Sequence, residues 1–265
     1  DAAVKQICSG ETRFSLPLHT VLCTDKIPEM PELRASFSTS FAAGSLCSEN
    51  RVHNITKGAL LIDGSIVPAG QTFSCNDSLG VRSRENGWLP ATAFANGGAE
   101  TRQEYGGGIC QISTTLYNAV LRSDLEIIAR SGHTRKGLDA ALSGKDKDFV
   151  FRNNTDSDIY VFMWVDESQK TLCCEIYGCP FPSDFDRVDT VSELTSSTPP
   201  SEPQFVLDSA LEPGECVLKR KAIAGSTYQS YRVYSLNGEI IRRVPIDKTE
   251  YPMHPALYAV GQGKS

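Results

Sequence analysis

The sequence predicts an α+β fold, with a helix packed on an antiparallel meander, followed by a small all-β unit. Three observations predict it. Residues 109–123 place Ile109, Ile112, Leu116 and Ala119/Val120 on one face, at the spacing of an amphipathic helix. Three strand-like runs, Asp148–Arg152, Asp158–Val165 and Thr171–Tyr177, are separated by the turn formers of residues 153–156 and 166–169. Asn237-Gly238 sits between Tyr231–Leu236 and Glu239–Val244, a strong hairpin signal.

In chain order, residues 1–35 read as a lead-in. Phe14, Leu16 and Leu18 alternate ahead of Ile27-Pro28-Glu29-Met30-Pro31, as in a last strand and connector of something upstream. Asp1-Ala2-Ala3-Val4 has neither the cationic nor the apolar part of a signal peptide, so a targeting segment is expected upstream of Asp1. The core is expected over 36–178. Within it, residues 54–61 suggest a short helix running into the Asp63-Gly64 turn, and Ile66–Phe73 a strand, turn and strand. The helix from Ile109 ends at Ser123-Asp124, and Leu125–Arg130 returns as a strand. Residues 179–204, rich in Ser, Thr and Pro, have the composition of a linker, and 205–265 form the small β unit.

Bulk composition narrows the function. The chain has 265 residues, 40% hydrophobic and 22% charged, with a net charge of −6. An acidic chain without a basic run is a poor partner for nucleic acid or an anionic membrane. No run reaches the roughly 18 apolar residues that cross a bilayer. Nine cysteines lie scattered, too sparse for a disulfide scaffold. Cys173 and Cys174 face opposite sides of a strand with no histidine near, which favours packing or a disulfide over a metal. Neither metal nor cofactor is expected.

The stretch able to carry chemistry is Gly106-Gly107-Gly108-Ile109-Cys110-Gln111. Glycines permit a sharp turn or a close approach. Cys110 then falls in the first helical turn, where free N–H groups and the dipole favour a thiolate. The helix spans 14 residues, about 21 Å. The returning eight residues, 125–132, cover about 26 Å as a strand. A fold-back therefore levels His133 with Cys110. Asp148, at the start of the following strand, or Asp139, in the connecting loop, would orient the imidazole. The backbone around Cys110 and Gln111 would form an oxyanion site. Gly107, Gly108, Gln103 and Thr114 are candidates for lining a substrate groove. Set against this is a structural reading, in which Cys110 packs inward and the glycines serve packing alone.

Several blocks resemble the VanW family in order: Ser36–Phe41, Asn50–Ile55, Pro68–Ser74, Gly106–Ala119, Arg130–Thr134, Asp139-Ala140 and Asp148–Asn153. The resemblance implies an extracellular, envelope-associated bacterial protein linked to glycopeptide resistance, with peptidoglycan or wall glycan as partner and a wall-binding domain upstream. It departs from the family in a shortened loop, Thr134–Leu138, between the histidine and the Asp-Ala pair. Residues 207–214, 231–239 and 251–261 are similar to glycine-five-type modules, which implies adhesion to wall polysaccharide or a spacer. Two functions follow: a cysteine-dependent amidase or acyl transferase on peptide stems, and a non-catalytic wall-binding module.

Overall fold

A computed structural model describes residues 31–41, 48–95, 100–133, 138–143 and 146–262. The expectations for residues 1–30 (Cys8 and Cys23 included), for Cys47 and for Thr134–Gly137 lie outside the described residues. Pro31–Ser265 form one unit.

The first sheet has the order β1–β9–β8–β2, all antiparallel. β1 is Glu32–Ser40, β2 Ser65–Val67, β8 Ile159–Asp166 and β9 Thr171–Gly178. Ile159, Val161 and Met163 alternate inward along β8, as Leu172, Cys174 and Ile176 do along β9. That period of two is why these runs are strands with one wet face. Cys174 is buried and its neighbour Cys173 half-buried, as opposite faces require. β1 begins at Glu32, so the lead-in ends earlier than its composition suggested.

Two long helices cover the inner face of this sheet. α1, Glu49–Ile62, starts where the Ser48 hydroxyl accepts from Arg51 N at 3.3 Å. The helix starts five residues before Asn54, where its spacing alone would begin it, because this cap lies at Ser48. α2, Cys75–Leu79, is a single turn, and α3, Ile109–Arg122, is the central helix. A methyl group on Gly58 of α1 would lie 2.2 Å from Ile112 Cδ1 of α3, so glycine allows the two helices to cross closely. β3 (Thr72–Ser74), β7 (Val150–Arg152) and β6 (Glu126–Ala129) form a second small sheet, and β4 (Pro90–Ala95) pairs with β5 (Glu100–Tyr105).

The C-terminal part departs most from expectation. β10, Arg187–Thr198, runs through the stretch read as a linker and pairs with β13, Gly225–Leu236, which pairs with β14, Glu239–Tyr251. Asn237 and Gly238, both left-handed at φ 52° and 84°, join β13 to β14. A last sheet sets β15 (Leu257–Gly261) between β11 (Gln204–Asp208), parallel to it, and β12 (Cys216–Arg220). The molecule is thus α+β but mainly antiparallel β.

The β10–β13–β14 sheet packs directly on α3. Arg232 of β13 donates to Leu121 O and Leu125 O, and Arg34 of β1 donates to Ser123 O. Two guanidiniums therefore gather carbonyls at and just past the helix end, where positive charge is favoured. Tyr234 Oη donates to Asp124 at 2.6 Å beside them. A polar stretch such as 187–198 orders because β13 supplies its hydrogen bonds, not because it has an apolar face of its own.

Candidate functional site

The turn at residues 106–108 sets the head of α3. Gly108, at φ 113°, occupies the N-cap, and Gly107 lies so close to β4 that a methyl group would sit 2.3 Å from Ala91 O. Asn54 of α1, fully buried, locks the turn. Its Nδ2 donates to Leu89 O at 2.8 Å and Gly107 O at 3.1 Å, and its Oδ1 accepts from Leu89 N at 2.9 Å.

From there, one face of α3 carries a polar ladder that holds the segment Leu138–Leu142. Cys110 Sγ accepts from Leu142 N at 3.4 Å and lies 3.6 Å from Leu142 O. Ser113 Oγ donates to Ala140 O at 2.7 Å, and Thr114 Oγ1 accepts from Ala140 N at 3.1 Å. Asn118 Nδ2 donates to Leu138 O at 2.9 Å. The steps of three, four and eight positions keep these groups on one side of the helix. Ser131 O, accepting from Ala141 N at 2.8 Å, brings the chain returning from β6 alongside this segment.

The electrostatics of Cys110 are decided by burial, which pushes its thiol pKa up. The Leu142 amide, Arg51 and Arg82 oppose that rise, and Asp139 adds to it. A thiolate favoured by the helix start was the expectation; desolvation outweighs it. The amide of Gln111, expected to help hold an oxyanion, donates to Gly108 O at 2.9 Å. The Gln111 side chain accepts from Arg51 at 3.0 Å and donates to Thr39 Oγ1 at 3.0 Å, tying α1 and β1 to α3.

The two candidate acids separate. Asp148 supports the start of α2, whose N-cap is Ser74: its oxygens accept from Ser74 Oγ at 2.6 Å and Asn76 N at 3.0 Å. Asp139, buried, accepts on Oδ1 from His133 N, Arg130 Nη2 and Tyr251 Oη, each at 3.0 Å. Cys110, Thr114, Asp139 and the His133 backbone thus meet along one segment. Gln103 lies out on β5, exposed, bonded to Thr92 of β4 at 3.0 Å.

Sequence reasoning missed Asn54, Arg130 and Tyr251. Asn54 had a signal, a polar residue on the stripe that Ile55, Gly58, Ala59 and Ile62 bury. Tyr251 had none, because 112 residues separate it from Asp139.

Burial raises the thiol pKa of Cys75 and Cys174 as well as Cys110. In the unfolded chain these thiols titrate near about 8.5. The stability they lend is therefore complete below that pH and is lost as pH rises through the folded values. The unfolding free energy is expected to fall between about pH 8 and about pH 10, by up to about 1.4 kcal/mol per pH unit for each thiol, and the urea midpoint with it. A flat midpoint across that window would contradict the burial of these sulfurs.

The family model described as VanW like protein matches residues 50–177. An uncharacterized Bacillus subtilis protein, YoaR, is 39% identical over 120 residues, 43% of this chain and 39% of the relative. The vancomycin B-type resistance protein VanW of Enterococcus faecalis is 30% identical over 132 residues, 46% of this chain and 47% of the relative. The chain thus spans less than half the length of these two curated relatives. Among solved structures, the G5 domain of an IgA1 protease (17% identity, TM-score 0.21) covers 29% of this chain and 92% of its own. HP0197-G5 (16% identity, TM-score 0.16) covers 28% of this chain and 97% of its own. Scores this low leave the fold of the β unit to its own strand order.

Proposed function

We propose that the chain, whose residues 50–177 match the family model described as VanW like protein, is a bacterial cell-envelope protein that engages peptidoglycan or wall glycan without covalent chemistry. The observation that supports this over the enzyme reading is the state of Cys110. Its sulfur is packed under Leu142 with a raised pKa, and the Gln111 amide meant for an oxyanion is already bonded to Gly108 O. A nucleophile needs the opposite, an accessible thiolate beside free donors.

One observation favours the cysteine-dependent acyl-transfer reading. The Leu142 amide, Arg51 and Arg82 all stabilise negative charge on Sγ. In that reading His133 is the base. Asp139, bonded to the His133 amide, is a better-placed acid than Asp148, which supports the start of α2.

One experiment separates the two. Wild type and Cys110→Ala are incubated with purified peptidoglycan sacculi, and both the bound protein and the released fragments are measured. Equal co-sedimentation and no fragment release from either is the expected result. Release by wild type that Cys110→Ala abolishes would establish the enzyme instead.

The β unit is assigned the same wall association, as an adhesive or spacing element. Residues 205–265 alone would lack β10, whose partner β13 would become an open edge, so the full chain is the material to use.

A further inference from the structure

The end of β14 lies on the candidate site, outside the family match. Along Asp247-Lys248-Thr249-Glu250-Tyr251, the odd-numbered side chains turn inward while Lys248 and Glu250 pair with each other outside. Arg130 Nη1 donates to Thr249 Oγ1 at 2.7 Å and to Asp247 Oδ2. Tyr251 Oη donates to Asp139 Oδ1 at 3.0 Å. A methyl group on Gly132 would lie 2.8 Å from Thr249 Cγ2, so the chain leading to His133 runs flush against β14. Asp139 lies in the segment whose Leu142 covers Cys110.

We propose that β14 is a clamp on this site, with Tyr251, Thr249 and Asp247 as positioning residues that hold Asp139 and Arg130, and through them the segment over Cys110. Docking of the C-terminal sheet then regulates access to the head of α3. The inference rests on the reading of that region as the ligand site, but its geometry and its test stand apart from any ligand. The physical reason is the lever arm. Segment 138–142 has no strand partner of its own among the described residues, so the hydrogen bonds of Asp139 add to the α3 ladder in setting how often it lifts.

The test is iodoacetamide alkylation of the full chain at fixed pH, read peptide by peptide. Tyr251→Phe removes one hydrogen bond to a charged acceptor. It is expected to raise the Cys110 rate about tenfold, the effect of such a bond on a local opening equilibrium. Thr249→Val acts in the same direction, Thr249→Ser restores the wild-type rate by keeping the hydroxyl, and the outward Lys248→Ala leaves it unchanged. Cys75 and Cys174, both fully buried, report global unfolding in the same sample. A Cys110 rate that does not move, or that moves only in step with Cys75 and Cys174, overturns the clamp. Wild type that fails to bind sacculi while Cys110 responds as stated removes the wall-binding reading and leaves the clamp standing.

Discussion

Arg130→Met is expected to lower stability by about 3–5 kcal/mol, the cost of breaking a buried ion pair by removing one partner. The Arg130 side chain is 4% exposed, and it spends its N–H groups on Asp139 O (2.6 Å), Asp139 Oδ1, Thr249 Oγ1 and Asp247 Oδ2. Its guanidinium also lies 5.2 Å from the centre of the Tyr117 ring. Burial pushes the Tyr117 pKa up to about 12, so the ring stays neutral and presents an attractive face. Methionine fills much of the volume but takes away the guanidinium that faces the buried Asp139 carboxylate. Arg130→Lys is expected to recover little, because a point charge cannot span acceptors on both the Asp139 segment and β14. Arg130→Met combined with Asp139→Asn is expected to be milder than Arg130→Met alone, since the uncompensated charge is gone. Urea midpoints of these three variants and of Asp139→Asn alone decide it. A double variant as damaging as the sum of its parts would mean that packing, not charge, makes Arg130 costly.

That network also marks where the sequence stops being legible. Local patterns were readable because their causes are local. The stripe Ile109, Ile112, Leu116, Val120 predicts α3 to within a residue, the alternation of β8 and β9 follows from one buried face, and two left-handed residues suffice for the 237–238 turn. Strand β10 was illegible because Ser and Thr make up half of it and both its faces are largely wet. Its structure comes from β13, which sequence composition cannot show.

At the site, the segment with Asp139 and Ala140 was recognisable, but the competition at Cys110 was not. Helix dipole and nearby arginines pull the thiol one way and burial the other. Only the packing of Leu142 tells which is larger. Asp148 was misplaced for a different reason. A carboxylate before a strand looks the same whether it will orient a histidine or support the start of a helix 72 residues away at Asn76. Tyr251 and Thr249 enter through tertiary contact alone.

Gly107→Ala is the second large effect, expected to cost about 3 kcal/mol or more. The added methyl group would sit 2.3 Å from Ala91 O and 2.6 Å from Ala91 C, and both obstacles are backbone. Neither can rotate away, so the β4–β5 hairpin or the whole turn must shift. The turn in its place is pinned by Asn54 through Gly107 O. Gly238→Ala is the matched control. Its φ of 84° is unfavourable for alanine, but nothing lies within 4 Å, so about 1 kcal/mol of backbone strain is the expected limit. In a domain of this size each kcal/mol moves the melting temperature by about 2–4 °C, which puts Gly107→Ala at least about 4 °C below Gly238→Ala. Melting temperatures that agree within a degree would show that the turn has room. If they separate, the glycine run is explained by the approach of β4: it seats the first turn of α3 so that Cys110 meets Leu142, and a groove for ligand has to be formed by the side chains around that turn rather than by the bare backbone of Gly107.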